Sequence, residues 1–333
     1  MKATIRYGIG RVLTAIVLLV CIVSFNFILV RLMPGDPLRN ILGEEDFYRL
    51  SNTNPALLEE LRVYYGLDGS LWEQYCRYIQ NMSHLDFGYS YKNDLPVLQE
   101  IAVNAKWTLI LLIPTLVIGA FAGGYLGLKA GWKNGGIADR ILTPLALFFK
   151  TVPGNCLAIL FLMIFAFKLK LFPIAGMVSG GHLTGMKRFV SILHHMALPM
   201  SVLLLYRIAS NFLLMKSTVA QIRDAEYTVT AFSKGLTERQ VIRRHVLKNA
   251  LAPYITALCM QMGGLLGGAT FIEIVFSWRG MGLLYYNAMG VRDFPVLQCC
   301  FLISGSCVIL SNLLADLFTA IIDPRVRGGA AHE

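Results

Sequence analysis

Long apolar runs are the feature that most constrains how this chain can fold. A helix needs about twenty apolar residues to cross the roughly 30 Å hydrocarbon core of a bilayer. Six segments of the 333-residue chain have this character, at 12–30, 107–128, 141–167, 197–215, 250–271 and 296–322. Because backbone in lipid must satisfy its own hydrogen bonds, we predict one all-α polytopic membrane domain over residues 1–333, with six transmembrane helices.

The composition agrees with a membrane protein. The chain is 56% hydrophobic and 15% charged, whereas about a quarter of the residues in soluble domains are charged. A net charge of +10 is also found in nucleic-acid-binding proteins. Here the basic residues flank the apolar segments instead of forming one patch, so we exclude nucleic acid as a partner. The seven cysteines include no C-x-x-C pair and indicate packing residues rather than zinc ligands or disulfides.

The distribution of Lys and Arg predicts the orientation of the helices. With the N-terminus in the cytoplasm, the short inner loops carry more than twice as many Lys and Arg residues as the short outer loops. The positive-inside rule therefore places both termini in the cytoplasm. We predict that the first segment is a retained helix rather than a signal peptide, because its apolar core is too long and no A-x-A-like site follows.

The region between the first two apolar segments, residues 33–106, is then external. Helical spacing over 55–65 and 70–82 predicts that this region is ordered. The second of these helices carries an apolar and aromatic stripe, which is more typical of a packed or interfacial face than of a ligand site. Its members are Leu71, Trp72, Tyr75, Tyr78, Ile79 and Met82.

The polar loop at 216–249 is longer than a connection between two spans requires. It contains helix-forming residues, Gly235 and seven Lys or Arg residues between Lys216 and Lys248. A loop of this kind predicts a surface that another protein binds. The alternative is a solvated loop whose basic residues lie near anionic lipid.

Several motifs of enzymes are absent from the sequence. It contains no G-x-x-x-x-G-K-[ST], so we do not expect the chain to bind or hydrolyse ATP by itself. It also lacks H-E-x-x-H and G-x-S-x-G. The adjacent His194 and His195 do not share a helix face, so no metal site is predicted from them. A membrane enzyme is therefore a weak hypothesis.

Ionisable residues within apolar segments are costly in lipid and usually face protein or water. Arg207, near the middle of the fourth segment, is predicted either to line a path and meet a substrate carboxylate, or to hold the bundle together by pairing with Asp316 or a backbone carbonyl. Asp316, late in the sixth segment, fits a structural role beside Asn312 better than a role in the path. Glu273, near the outer end of the fifth segment, is a candidate gate.

The third segment is interrupted at Lys150–Gly154. Pro153 removes a helical hydrogen bond, and Gly154 permits a sharp turn. Broken helices often border transport paths, although a simple kink explains the motif equally well. The glycine pairs at 263–264 and 267–268 predict a small-residue face for close helix packing.

A series of short motifs then suggests a family. Their order and spacing resemble the permease subunits of bacterial dipeptide, oligopeptide and nickel ABC importers over nearly the whole chain. The main motifs are Met33-Pro-Gly-Asp-Pro37, Tyr65-Gly-Leu-Asp68, Leu85-Asp-Phe-Gly-Tyr-Ser90, Glu226-Tyr227, Lys234-Gly-Leu236, Asn249-Ala250, Gly267-Gly268, Val275-Phe-Ser277, Arg292-Asp293 and Asp323-Pro-Arg325. One departure is Val229-Thr-Ala231, where the general permease motif has Glu-Ala-Ala.

The resemblance implies a type I ABC importer permease fold in the bacterial inner membrane. Such a subunit forms half of a translocation pathway for di- or oligopeptides. It pairs with a second homologous permease and two cytoplasmic ATPases, and an external solute-binding protein delivers the substrate. ATP and Mg are bound by the partner ATPases, so no cofactor is expected in this chain.

The resemblance also implies roles for individual residues. The loop at 216–249 corresponds to the family's coupling segment, a short helix that docks on the ATPase. The residues carried over to this role are Glu226, Tyr227, Thr230, Ala231, Lys234, Gly235 and Leu236. Glu273 is a candidate for contact with the binding protein, as an alternative to the gate.

Two other functions stay open at this point. The same family carries nickel and metal chelates, for which Cys259, Met260 and Met262 are weak indications. A self-sufficient secondary transporter belongs to another class and predicts internal repeats. No convincing repeat is present in the sequence.

Overall fold

A computed structural model describes residues 2–31, 36–180, 183–265 and 269–322. Over these ranges the regular secondary structure is helical, apart from an isolated bridge between Tyr89 and Pro96, and turns and irregular segments join the helices. The α-helices are α1 (Lys2–Arg31), α2 (Pro37–Leu42), α3 (Glu44–Thr53), α4 (Pro55–Tyr64), α5 (Leu71–Ser83), α6 (Val97–Trp132), α7 (Ile137–Thr151), α8 (Gly154–Phe161), α9 (Gly185–Arg223), α10 (Glu226–Ser233), α11 (Glu238–Val241), α12 (Leu247–Gly263), α13 (Thr270–Val275), α14 (Met281–Val291) and α15 (Phe294–Ile322). Two π-helical segments, Leu162–Lys168 and Ile242–Val246, continue α8 and α11.

Four helical segments are long and apolar enough to cross a membrane. They are Gly8–Leu29, Val97–Trp132, Gly185–Arg223 and Phe294–Ala320. The pair Ile137–Thr151 and Gly154–Lys168 gives a fifth if the two halves form one bent span. The described helices therefore agree with a polytopic membrane protein but give four or five spans where the sequence predicts six. The difference lies at 250–271, because α12 ends at Gly263 after 17 residues.

The two longest helices, α6 and α9, pack together along a glycine seam. Gly119, Gly123, Gly127 and Gly131 recur every four residues on α6, and all four are buried. A Cβ atom at any of them would lie only 2.6 or 2.7 Å from an atom of α9. The seam therefore lets the backbones approach closely, as small residues do in membrane helix pairs. This close packing of α6 on α9 was not predicted from the sequence.

The predicted small-residue face at the end of α12 is partly described. A Cβ on Gly263 would meet the Cα atom of Val308 on α15 at 3.0 Å, so this glycine does lie against a neighbouring helix. Residues 267–268 fall outside the described ranges, as do residues 33–35 of the motif at 33–37 and the whole motif at 323–325.

The predicted break in the third apolar segment is present, and its two halves bend by 99°. Val152 and Pro153 are both extended, with ψ of 126° and 133°. A proline disfavours the helical conformation of the residue before it, which explains the conformation of Val152. Gly154 is the first residue of α8 and has no positive φ. The bend therefore comes from Val152 and Pro153, and the predicted turn at Gly154 is wrong.

The helices predicted between the first two apolar segments are present as α4 and α5. A capping box begins α5, in which the backbone N–H of Ser70 donates to Glu73 Oε2 at 2.7 Å. The aromatic stripe of α5 packs on the C-terminal part of α1. Tyr75 Oη lies 2.7 Å from Ser24 Oγ, and its ring centroid lies 5.3 Å from that of Phe27. This part of the stripe is a packed face, whereas Leu71 and Trp72 at its N-terminal end are exposed.

Candidate functional site

The predicted loop at 216–249 is mostly helical: α9 continues to Arg223, and α12 begins at Leu247. Directly after α9, the predicted coupling residues lie on and just after the short helix α10. Gly235 follows this helix with a φ of +80°, a conformation that favours glycine. The N–H of Gly235 donates to the carbonyl of Phe232 at 2.9 Å, and the N–H of Leu236 donates to that of Ala231 at 3.3 Å. This pair of bonds is a Schellman motif, which explains why the helix ends at this glycine.

Helix α10 has one buried face and one exposed face. Thr228 and Ala231 are 1% and 4% exposed. Thr228 Oγ1 donates to the carbonyl of Ile222 at 2.7 Å, and Ala231 packs in a core cluster with Met215 and Val241. The exposed residues of the segment are Glu226, Tyr227, Val229, Thr230, Phe232, Ser233, Lys234 and Gly235. Of the predicted coupling residues, all but Ala231 and the half-buried Leu236 are therefore accessible to a partner.

Trp132, at the C-terminal end of α6, anchors the coupling segment. Its indole Nε1 donates to Glu238 Oε1 at 2.5 Å, and its ring centroid lies 6.3 Å from that of Phe232. Arg223 Nη1 donates to the Trp132 carbonyl at 3.3 Å. A hydrogen bond from Arg223 also lowers the pKa of the neighbouring Asp224 below its ordinary value. Trp132 was not predicted as a functional residue, although a tryptophan at the end of an apolar helix is a known interfacial signal.

A largely buried ion pair joins α7 to the C-terminal part of α9, ahead of α10. Lys216 Nζ lies 2.5 Å from Asp139 Oδ1 and donates to Thr143 Oγ1 at 2.8 Å. Asp139 also accepts from Thr143 at 2.6 Å and from the backbone N–H of Gly135 at 2.9 Å. The carboxylate and the ammonium are therefore both satisfied, as a buried pair requires. Asp139 was not predicted, because no local pattern links it to Lys216.

Arg207 does not pair with Asp316. Its Nη1 atom donates to Gln261 Oε1 on α12 at 3.0 Å. Asp316 instead lies 3.3 Å from Arg11, because α15 packs against α1. The predicted alternative of an Arg207–Asp316 pair is thus wrong. Asp316 forms an ion pair between α15 and α1 through Arg11, and its predicted structural role beside Asn312 stays a prediction.

Glu273 is completely buried and lies at a joint between three helices. Its Oε1 accepts from Thr108 Oγ1 on α6 at 2.7 Å, and its Oε2 accepts from the backbone N–H of Gly282 at 2.7 Å and of Leu283 at 3.3 Å. These amides belong to the first turn of α14, where a carboxylate is favoured.

The four candidate path residues do not form one cluster. In the part of the chain that the structure describes, no hydrogen bond or ion pair joins any two of Arg207, Glu273, Asp316 and Pro153. Pro153 lies in the bend between α7 and α8. Among the same residues, no group of three or more His, Cys, Asp or Glu is placed to hold a metal ion.

Comparison with known families gives the class of protein. Residues 107–328 match the family described as the inner membrane component of binding-protein-dependent transport systems. Residues 4–112 match the family of the N-terminal part of such membrane components. The chain belongs to this family of membrane permease components, and the predicted family is confirmed.

Relatives with similar sequences cover almost the whole chain. A putative peptide permease protein of Brucella ovis is 34% identical over 328 residues, which span 97% of this chain and 99% of the relative. The dipeptide transport system permease protein DppB of Escherichia coli K12 is 32% identical over 324 residues, or 92% and 94% of the two chains. The protein of the same name from Alkalihalophilus pseudofirmus is 30% identical over 338 residues, or 97% and 99%.

Proposed function

We propose that this chain is the permease subunit of an ATP-driven ABC importer and forms half of the translocation pathway for di- or oligopeptides. The observation that carries the proposal is the family match over nearly the whole chain, with relatives named as peptide and dipeptide permeases. A binding-protein-dependent system also requires an external solute-binding protein and ATPase subunits. Nickel transport and an ATP-independent transporter are the alternatives, and these relatives do not favour them.

The proposed topology has six transmembrane helices in a single type I permease domain over residues 1–333. In this topology α12 and the residues after it supply the crossing that the described helices leave incomplete. Both termini lie in the cytoplasm of the bacterial cell, and residues 33–106 lie outside. The packing of α5 on the C-terminal part of α1 supports the external placement, since that end of α1 is the one opposite the basic N-terminal residues.

The loop at 216–249 is the proposed contact with one cytoplasmic ATPase. The buried face of α10 fixes this helix to the rest of the chain, and its exposed face presents Tyr227, Val229 and Phe232 beside charged groups. A partner that covers this face would remove apolar side chains from water, which favours binding. Motion of the ATPases would then pass through α10 into α9. The partner ATPases bind ATP and Mg, and this chain holds no cofactor.

A second homologous permease completes the proposed pathway. Arg207 is the residue that we place beside the cargo. Glu273 is placed as an element of an outer gate, through the joint that it forms between α6, α13 and α14. Because its side chain is fully buried, we do not assign it the alternative contact with the binding protein. Asp316 holds α15 on α1, and the bend at Pro153 borders the path.

Native mass spectrometry of the complex that purifies with the full chain tests this proposal. We expect one copy of this chain, a second permease, two ATPases and, on the associated binding protein, the mass of a peptide. A metal or a metal chelate on that protein would contradict the peptide substrate. A homo-oligomer that stays stable without ATPases and transports in response to an ion gradient would contradict the importer.

A further inference from the structure

A directed polar network crosses from α9 to α12 near the middle of α9. Arg207 donates to Gln261 Oε1 at 3.0 Å, and Gln261 Nε2 donates in turn to Asn211 Oδ1 at 2.9 Å. Arg207 and Asn211 are four residues apart and therefore lie on one face of the helix. Gln261 bridges them, so it fixes the position of both side chains.

This network has more donors than acceptors. Asn211 is 0% exposed, and its Nδ2 atom has no hydrogen-bond partner among the described residues. A guanidinium carries five N–H groups, and the bond to Gln261 is the one that the described structure gives Arg207. Arg207 also forms no ion pair within these ranges, whereas Lys216 on the same helix pairs with Asp139.

A simple tie between two helices does not require this surplus. Buried donors without acceptors destabilise a protein, and an unpaired charge in an apolar segment costs more. Glu273 shows the opposite arrangement, since both of its oxygens accept hydrogen bonds. An acceptor with negative charge would complement the network, and Arg207 is only partly buried, so such a group can reach its guanidinium.

We propose that Arg207, held in position by Gln261 and Asn211, forms a subsite that binds the C-terminal carboxylate of a peptide in transit. A guanidinium presents N–H groups that match the two oxygens of a carboxylate. The C-terminal group is the one carboxylate that every unmodified peptide carries. This inference rests on the proposed function. It assigns Arg207 to cargo recognition and assigns Gln261 and the buried Asn211 to positioning the guanidinium.

Uptake by the complete importer in proteoliposomes tests the subsite. The cargoes are labelled alanyl-alanine and its C-terminal amide, and the maximal rate is measured at saturating loaded binding protein. The wild type should import the acid faster than the amide. Arg207→Gln should slow import of the acid about tenfold, the scale of one charged hydrogen bond, and remove the preference. Arg207→Lys should fall between the two, and Asn211→Ala should slow the acid severalfold.

Arg11→Gln is the matched control, since it also removes an arginine from an apolar helix. It should leave the ratio of acid to amide unchanged. Binding-protein-stimulated ATP hydrolysis and the Tm of the complex should stay near the wild-type values in Arg207→Gln. If the amide does not bind to the binding protein, the import rates of alanyl-alanine by Arg207→Lys and Arg207→Gln are compared instead. A faster rate for Arg207→Lys supports the subsite.

Two results would overturn the subsite. Unchanged import by Arg207→Gln would show that cargo does not use this charge. Equal losses for Arg207→Lys and Arg207→Gln, together with a lower Tm, would show that the network only joins α9 to α12. A wild-type complex that hydrolyses ATP but imports no peptide would instead overturn the proposed function itself.

Discussion

The two ends of helix α6 are held in opposite ways. Near its N-terminal end, Thr108 bonds to Glu273, which is fully buried and uses both of its oxygens. At its C-terminal end, Trp132 bonds to Glu238 beside α10, whose other face is exposed. The first joint is complete within this chain, whereas the second leaves a surface for a partner.

The glycine seam connects these two ends. It keeps α6 and α9 in close backbone contact from Gly119 to Gly131, so that a movement of either helix meets the other directly. A displacement applied to α10 would pass directly into α9, because only Asp224 and Ala225 separate the two helices. The comparison thus predicts that changes to the seam and to the Glu273 joint disturb folding, and that changes to the exposed face disturb transport alone.

The largest effect on folding should follow a bulky residue in the seam. In Gly127→Leu the new Cβ would lie 2.6 Å from the Phe212 carbonyl, so α6 and α9 must separate. We expect a loss of about 3 kcal/mol, at the upper end for overpacking, and little folded protein in size-exclusion chromatography. Gly290→Leu on α14 is the control, since open space surrounds that glycine. A wild-type Tm for Gly127→Leu would show that the seam is loose.

Removal of the buried carboxylate should have the next largest effect. Glu273→Ala leaves the Thr108 hydroxyl and the amides of Gly282 and Leu283 without their acceptor. Unpaired buried groups cost about 1–3 kcal/mol, so we expect a loss of about 2 kcal/mol in thermal unfolding of the purified protein. Glu273→Gln keeps one acceptor and should lose less. The exposed Glu60→Ala should change nothing. Equal stability of Glu273→Ala and the wild type would show that the Glu273 joint at the N-terminal end of α6 is not needed for folding.

Features with a local signal in the sequence could be predicted from the sequence alone. The end of α10 follows from a local signal, because Gly235 alone supplies the positive φ that the Schellman motif needs. The break at Pro153 is local in the same way, although the bend itself uses Val152. The apolar segments likewise predict most of the spans.

Long-range pairings had no such signal. Thr108 and Glu273 are 165 residues apart in the sequence, and no spacing rule joins them. Arg207 and Asp316 have opposite charges in apolar segments and looked like partners, but Arg11 competes for Asp316 once α1 packs on α15. The glycine repeat on α6 is visible in the sequence, yet the helix that it contacts follows only from the fold.

A smaller effect is expected at the anchor of the coupling segment. Trp132→Phe keeps the ring contact with Phe232 but loses the hydrogen bond to Glu238. We expect a loss of about 1 kcal/mol, the usual size for one hydrogen bond. Because the anchor also orients α10, peptide uptake should fall severalfold. A double-mutant cycle with Glu238→Ala measures the pair directly. Additive effects of the two changes would show that the bond does not couple these residues.

The smallest effect on folding should come from the exposed face of α10, where transport is expected to be most sensitive. Gly235→Asp places a charged residue at a φ of +80°, which Asp tolerates at a cost of about 1 kcal/mol. Glu226→Lys reverses a charge at the exposed N-terminus of α10, a change worth about 1 kcal/mol or less. Both variants should express normally and abolish peptide uptake, because each places a new charge where an ATPase would dock.

The matched controls separate charge from backbone conformation. Gly235→Asn adopts the same conformation without a charge and should keep most of the uptake. Glu45→Lys makes the same charge reversal on the exposed face of α3, far in sequence from α10, and should leave uptake unchanged. Normal uptake in both Gly235→Asp and Glu226→Lys would place the ATPase contact elsewhere. In that case the exposed face of α10 would not be a partner surface, and the proposed difference between the two ends of α6 would be wrong.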